Sequence, residues 1–250
     1  LKPEDVKPSS RQYPFIRFEY DEKDKLHRLA CEMENLSFAY EGMDKPLINN
    51  FNLALETDEK VAIIGENGVG KTTMLKLMMG ELTPQKGRVK WAEKAKPGYY
   101  AQDHSADFAG NQSLTDWISE YARITAAATG EDLETLIRGT LGRLLFSGDE
   151  VKKAVNVISG GEQGRMLFGK LMLSRPNVLI MDEPTNHLDM ESIESLNVAL
   201  EKFSGTFVFV SHDREFVSSL ATRIIEIKLD GHITDYRGSY EEYLASQGLN

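Results

Sequence analysis

The sequence predicts an α/β fold with a mixed or parallel sheet core, an antiparallel β edge and a helical subdomain. Three short apolar runs indicate the core of the sheet, at residues 61–64, 178–181 and 206–210, and each borders a helix candidate. Strands that alternate with helices are typical of a largely parallel sheet with helices on its faces. Between residues 111 and 157, apolar residues recur at helical spacing, which predicts an inserted helical subdomain.

The remaining elements follow in chain order. Residues 1–28 contain three prolines, mixed charges and no sustained period, so they are interpreted as a linker or arm. An ordered arm packed on the domain and a disordered tail are both open alternatives for them. The domain itself is expected at residues 29–250, where strands at 29–40 and 47–55 would form a sheet edge leading into the strand at 61–64. Further strands are predicted at residues 87–90, 98–101, 223–228 and 232–236, and helices at residues 74–79, 164–173, 191–203 and 239–245.

Composition excludes several classes of protein. The chain has 250 residues, of which 41% are hydrophobic, and this is enough for a substantial core. The apolar runs are too short to cross a bilayer, so we expect no membrane segment. The single cysteine, Cys31, excludes an internal disulfide and fits a cytoplasmic location. The formal net charge of −10 argues against nucleic-acid binding over the whole surface, although a local basic patch stays possible.

A glycine-rich motif at residues 65–73 lies between a buried strand and a helix that opens near Lys71. Such a turn directs backbone N–H groups and the positive end of a helix at one point, which suits a phosphate. Lys71 can reach the outer phosphates, and Thr72 can bind magnesium. The residues predicted to hold the phosphates are Gly65, Glu66, Asn67, Gly68, Val69, Gly70, Lys71, Thr72 and Thr73.

Two acidic residues follow the apolar run at residues 178–181. Asp182 would stand beside the glycine-rich motif, where a carboxylate can support Mg²⁺. Glu183 would point at a water that attacks the terminal phosphate, so we assign it as the general base. Tyr40 lies just before the phosphate motif and could stack on a nucleotide base, although its spacing alone also fits a core residue.

A second glycine-rich stretch precedes the helix candidate at residues 164–173. Ser159 is a plausible N-cap there, and Gly160 and Gly161 expose backbone N–H groups. Together with Glu162, they would form a second phosphate cradle that has no lysine.

Residues 159–165 resemble the signature sequence of ATP-binding cassette (ABC) domains, with Ile158 where leucine is usual. The resemblance extends over residues 29–244 with six motifs in order. It implies that Gln102 is the Q-loop glutamine, that residues 186–189 form the D-loop and that His212 is the switch histidine. It further implies an ATPase that uses ATP and Mg²⁺, with Tyr40 on adenine, with Thr72, Gln102 and Asp182 at the metal, and with Glu183 and His212 as catalytic residues. In this family, the signature of one cassette completes the ATP site of another.

Residues 183–189 and 211–216, together with the tail at 236–244, are similar to the ABC-F proteins. Transporter cassettes usually have small residues at the D-loop positions of Asn186 and His187. ABC-F proteins carry two cassettes joined by a helical linker, and they act on ribosomes in translation or antibiotic resistance. The chain is most like their second cassette, and residues 1–28 are most like the trailing end of the linker. Because the first residue is Leu1, we expect a fragment of a longer protein.

The partners implied by this resemblance are a second cassette of the full-length chain, or a homodimer of this fragment, and the ribosome through the full-length protein. Little direct nucleic-acid binding is expected from the fragment alone. Three other functions stay open. A transporter ATPase subunit would dock on a membrane partner through residues 111–157, and a chromosome or DNA repair ATPase would clamp nucleic acid. In a third, non-enzymatic function, ATP binding would lock a conformation that hydrolysis only resets.

Overall fold

The structure, a computed structural model, describes residues 12–249 and confirms the α/β fold class. The strands are β1 (Leu29–Phe38), β2 (Ile48–Glu56), β3 (Lys60–Ile64), β4 (Lys86–Trp91), β5 (Pro97–Tyr100), β6 (Val178–Asp182), β7 (Thr206–Val210), β8 (Arg223–Ile227) and β9 (Ile233–Arg237). The α-helices are α1 (Lys71–Met79), α2 (Leu114–Thr129), α3 (Leu133–Arg143), α4 (Gly160–Ser174), α5 (Met190–Lys202), α6 (Arg214–Leu220) and α7 (Tyr240–Ser246). Short 3₁₀ helices lie at Glu22–Asp24, Ser105–Phe108, Gly148–Lys152 and Val155–Val157.

The central sheet has six strands in the order β5-β6-β7-β3-β8-β9, parallel except for the β8–β9 pair. Every residue of β6 and β7 is buried, as expected for strands covered on both faces. Because β7 lies between β3 and β6, the segments that follow these three strands meet at one edge of the sheet. That edge therefore brings together residues 65–70, residues 182–183 and His212.

The sequence predicts that the first two strands form an edge of the sheet that contains β3, but in the structure they lie outside that sheet. They pair with β4 in a separate antiparallel sheet of order β2-β1-β4. The physical reason is visible in the burial patterns. From Asn50 to Leu55, exposed and buried residues alternate along β2, which therefore needs only one covered face, whereas β3 has a continuous buried run.

A buried arginine joins the two sheets. Arg223 of β8 is 3% exposed and donates to Asp235 of β9, to Glu59 and to the Ala54 carbonyl of β2 at 2.6 to 2.9 Å. These acceptors use most of the guanidinium N–H groups, so its burial is compensated.

The predicted helical subdomain is present at α2 and α3, which pack against α4. Its core includes Trp117, Ile118, Leu141 and Leu144, all buried, and it is continuous with Phe168 of α4. Helix α4 begins at Gly160, four residues earlier than predicted, because Ser159 caps it. Within the described part of the chain, no helix is both long enough and apolar enough to cross a membrane.

Residues 12–28 lie against the domain. Ile16 and Phe18 are 6% and 4% exposed and belong to the main hydrophobic core. The ordered-arm alternative therefore describes residues 12–28, while residues 1–11 of the predicted linker lie outside the described residues.

Candidate active site

A cavity of about 420 Å³ lies at the carboxyl edge of the central sheet. It gathers most of the residues that the sequence predicts for nucleotide and metal: Tyr40, Asn67, Gly68, Gly70, Lys71, Thr72, Thr73, Gln102, Asp182, Glu183 and His212. Three further predicted residues, Gly65, Glu66 and Val69, belong to the same loop but do not line the cavity. The predicted cradle at residues 159–162 does not line it either.

The phosphate loop begins with a tight turn at the end of β3. Gly65 has φ +148°, and a Cβ there would overlap the carbonyl oxygen of Ile227 in the neighbouring strand β8. Only glycine fits so close to another backbone. The loop ends at Gly70, which adopts a left-handed conformation as the N-cap of α1. The first backbone N–H groups of α1 therefore open beside the cavity.

Lys71 lies folded back across this loop. Its ammonium donates to the carbonyl oxygens of Gly65 and Glu66, each at 2.8 Å. Burial lowers the pKa of Lys71, while the carboxylates of Glu183 and Asp182 act in the opposite direction. An ammonium has three donors, so the loop carbonyls hold the side chain in place and leave one donor for a phosphate oxygen.

Asp182, the last residue of β6, is fully buried. Neither of its carboxylate oxygens has a well-formed hydrogen bond among the described residues. Burial raises the pKa of Asp182, and the nearby Thr72 hydroxyl and Lys71 ammonium oppose this effect. A buried carboxylate without a partner is costly unless a cation or a donor compensates it. Carboxylate and hydroxyl oxygens are the ligands that Mg²⁺ prefers, so Asp182 and Thr72 fit this metal.

Glu183 and His212 form a contacting pair. The His212 backbone N–H donates to Glu183 Oε2 at 3.2 Å, and His212 Nε2 lies 3.2 Å from Glu183 Oε1. Burial raises the pKa of Glu183, with Asp182 acting in the same direction and His212 opposing it. The backbone of Glu183 is left-handed, with φ +50°, a conformation that non-glycine residues adopt uncommonly. A carboxylate with a raised pKa suits proton abstraction near neutral pH.

Tyr40 lies at the mouth of the cavity rather than in the core. It is 42% exposed, and its hydroxyl shares a hydrogen bond of 3.0 Å with Thr73 of α1. The ring is held edge-on by Phe38, with centroids 4.9 Å apart. Its position therefore supports the nucleotide-base interpretation over that of a core residue.

The cradle at residues 159–162 is built around a capping box. Ser159 Oγ accepts from the Glu162 backbone N–H at 3.3 Å, and Glu162 Oε2 accepts from the Ser159 N–H at 2.7 Å. Instead of the cavity, this turn contacts the segment after Glu183. A Cβ on Gly160 would lie 3.2 Å from the His187 Cβ, and a Cβ on Gly161 would lie 2.8 Å from the His187 carbonyl oxygen.

Among protein families, the one described as ABC transporter matches residues 48–186, which is more than half of the chain. The chain belongs to the ABC transporter family. This cassette is 56% identical over 249 residues to the probable ATP-binding protein YbiT of Escherichia coli O157:H7, covering 100% of this chain and 45% of YbiT. It is 38% identical over 240 residues to ABC transporter F family member 5 of Arabidopsis thaliana, covering 95% of this chain and 33% of that protein.

The cassette thus spans less than half the length of these two relatives. Among solved structures, it resembles the dimeric structure of a post-hydrolysis state of the ATP-binding cassette MJ0796 bound to ADP and Pi. The TM-score is 0.67 at 22% identity, over 83% of this chain and 99% of that one, and this likeness shows the fold. The family match identifies an ABC ATPase domain with ABC-F relatives and confirms the predicted ATPase activity.

Sequence reasoning missed three residues that line the cavity of the cassette: Met43, Leu47 and Val210. Leu47 supports the phosphate loop, because a Cβ on Gly70 would lie 3.0 Å from its Cγ. No motif marks these positions, since they are apolar residues in or beside strands. Helix α6 was also missed, although Asp213 is a typical N-cap and accepts from the N–H groups of Glu215 and Phe216.

Proposed function

We propose that this cassette is the C-terminal cassette of an ABC-F type protein that cycles between ATP-closed and open states and acts on the ribosome, in translation or antibiotic resistance. The chemical part of the proposal depends on one observation: a single cavity contains a phosphate loop, an unpartnered buried Asp182 and the Glu183–His212 pair. The biological part is supported by the ABC-F-like sequence at residues 183–189 and 211–216 and by the F family relative.

In the proposed mechanism, Tyr40 stacks on the adenine of ATP. The loop N–H groups and Lys71 bind the outer phosphates, replacing the water that would otherwise solvate their charge. Thr72, Gln102 and Asp182 would hold Mg²⁺, which supplies charge neutralisation at the phosphates. At the terminal phosphate, Glu183 orients the attacking water and accepts its proton. His212 donates to the phosphoryl oxygens and keeps Glu183 in position.

The proposed ATP site is completed by a second cassette. Residues 159–162 do not line the cavity of their own chain, and they present the backbone N–H groups of an α4 N-terminus. In a head-to-tail pair, Ser159, Gly160 and Gly161 of each cassette cover the terminal phosphate held by the other and exclude water. The second cassette is another part of the full-length chain or, for this chain by itself, a second copy.

In this proposal, residues 1–28 are the trailing end of the linker between cassettes, residues 29–250 are the ATPase domain, and residues 111–157 are its helical subdomain. The contacts of Ile16 and Phe18 with the core support a linker that ends as an ordered arm.

The proposal is tested by co-sedimentation of the full-length Glu183→Gln protein with ribosomes, with ATP and without nucleotide. Blocked hydrolysis should trap the ATP-closed state, so we expect retention with ATP that is at least severalfold above retention without it. The matched control is Glu183→Gln combined with Lys71→Ala, which should lose the ATP dependence because it binds ATP weakly. Equal or absent retention under both conditions would reject the ribosomal role. Recovery with membranes or DNA would favour a transporter or a repair ATPase.

A further inference from the structure

The segment at residues 12–28, called the N-terminal arm below, contacts helices α3 and α4. The Phe15 backbone N–H donates to the Arg143 carbonyl at the end of α3 at 2.7 Å, and the Arg143 guanidinium lies over the Phe15 ring at 5.7 Å. Next to it, the Arg17 N–H donates to the Met172 sulfur of α4 at 3.5 Å. The arm is therefore tied to α3 and α4.

The same arm is also tied to the C-terminal end of α4 and to the residue that precedes β6 of the central sheet. Asp21 forms an ion pair of 2.8 Å with Arg175, which follows α4. Asn177, directly before β6, is 2% exposed and donates its amide to the Asp24 and Lys94 carbonyls at 2.7 and 2.8 Å. Because Asn177 is buried and its side-chain amide is hydrogen-bonded to both carbonyls, it holds this end of the arm in place. The arm thus bridges the sheet and the helices that carry the second cradle.

Between these two ends, Phe18 enters the core. It is 4% exposed, and its ring meets Phe168 of α4 edge-on at 6.4 Å. On its other side, Phe168 stacks on Tyr100 at 5.3 Å. Tyr100 ends β5 two residues before Gln102, and its hydroxyl would lie 3.1 Å from a Cβ on Gly164. A continuous ring contact therefore runs from the arm through α4 to the strand that leads to Gln102.

We propose that Phe18 is a positioning residue for ATP hydrolysis, which acts by fixing the orientation of α4 through Phe168. Phe168 lies nine positions after Ser159, a distance of about 14 Å along the helix. A tilt of about 5° at Phe168 then moves the cradle at residues 159–162 by about 1 Å, and displacements of that size can cost about a hundredfold in rate. This inference depends on the proposed function in one respect, that the cradle covers ATP in a second cassette.

The test is steady-state ATP hydrolysis by the full-length protein carrying Phe18→Leu. We expect kcat to fall about tenfold while KM for ATP stays within about twofold, because the cavity with Tyr40 and Lys71 is untouched. The matched control is Phe51→Leu in β2, the same change at a residue 7% exposed and remote from the arm. This control should lose thermal stability to a similar extent and keep its kcat.

The inference is overturned if Phe18→Leu loses no more kcat than the control does. It is also overturned if Phe18→Leu changes KM and kcat equally. If Phe18→Leu fails to fold, Phe15→Ala replaces it, since Phe15 is 53% exposed and its loss removes the ring contact with the Arg143 guanidinium but keeps the backbone hydrogen bond. A folded Phe15→Ala protein should show a smaller loss, again in kcat alone, and an unchanged kcat would also overturn the inference.

Ser159→Arg separates the role of Phe18 from the proposed function. Normal hydrolysis by Ser159→Arg rejects the shared site itself, whereas its loss together with normal hydrolysis by Phe18→Leu rejects only the role of Phe18.

Discussion

At the scale of residues, the site depends on side chains that are unfavourable in the absence of ligand. Among the described residues, the buried carboxylate of Asp182 has no well-formed hydrogen bond, Glu183 is buried on a left-handed backbone, and Lys71 is held by carbonyls of its own loop. The first two arrangements lower the stability of the protein alone and become favourable when a cation or phosphate is present. Lys71 differs, because its ammonium is hydrogen-bonded and keeps one donor for a phosphate oxygen. The three residues therefore link nucleotide binding to the stability of the domain.

We predict that Asp182→Asn stabilises the metal-free, nucleotide-free protein and abolishes hydrolysis. Removal of the buried charge should raise the free energy of unfolding at neutral pH by on the order of 1 kcal/mol, or about 2–4 °C in Tm for a domain of this size. Thermal unfolding in EDTA measures the first effect, and phosphate release measures the second.

The pH dependence of this gain has a definite sign. Burial raises the pKa of Asp182 above its ordinary value of 3.8. The cost of its buried charge is therefore absent at low pH, where the carboxyl is protonated in both states, and it develops as the pH rises through the folded-state pKa. The advantage of Asp182→Asn should therefore shrink as the pH falls toward 4. An advantage that grows on acidification would contradict the assignment of Asp182 as the unfavourable buried charge.

At the scale of elements, α4 and the segment at residues 186–189 behave as one unit. Gly160 and Gly161 pack against His187, and Arg165 of α4 forms an ion pair of 3.4 Å with Asp189, which also caps α5. Glu183, the proposed general base, lies three residues before this segment. The start of α4 and Glu183 of the same chain are therefore held at a fixed separation.

We predict that Gly161→Ala lowers hydrolysis by about 10- to 100-fold in the full-length protein. A Cβ at Gly161 would lie 2.8 Å from the His187 carbonyl, so the backbone of one partner must move. ATP affinity, measured by calorimetry, should stay unchanged, because the phosphate loop is not affected.

The control for this variant is Gly142→Ala in α3, where no atom lies within 4 Å of the added methyl. This change should leave hydrolysis intact and stabilise the helix by about 0.5–1 kcal/mol. If Gly161→Ala hydrolyses ATP as well as the Gly142→Ala control, the proposed role of the α4 N-terminus is wrong.

At the scale of the whole molecule, the proposed cradle and the cavity are separate surfaces of one chain. Two copies related by a two-fold axis would satisfy both surfaces at once. The net charge of −10 on each copy opposes this association, and only bound ATP supplies a new contact to outweigh it.

We therefore predict that the 250-residue chain with Glu183→Gln dimerises with Mg²⁺ and ATP, and that it stays monomeric with ADP. Gel filtration with light scattering measures the mass, and added salt should favour the dimer by screening the like charges. Glu183→Gln combined with Lys71→Ala is the control and should remain monomeric. A Glu183→Gln chain that stays monomeric with ATP at high protein concentration would contradict the head-to-tail pair.

The sequence predicted most elements and the main site, because both depend on local patterns. Continuous apolar runs specify β6 and β7, glycines specify the turn after β3, and Asp182 and Glu183 end a buried strand. Parallel strands bring their carboxyl ends to one edge, so even the meeting of these motifs could be expected.

The tertiary structure decided what local patterns do not encode. The separation of β2-β1-β4 from the central sheet depends on which faces are covered, and the contact of Phe18 with Phe168 joins residues 150 positions apart. Likewise, the missing partners of Asp182 are visible only once its neighbours are placed. The sequence by itself determined the fold class, the glycine-rich loop after β3 and the two acids that end β6, because each depends on residues that are adjacent in the chain. Only the tertiary structure determined how the arm, α4 and the cavity are arranged, because packing between distant segments selects that arrangement.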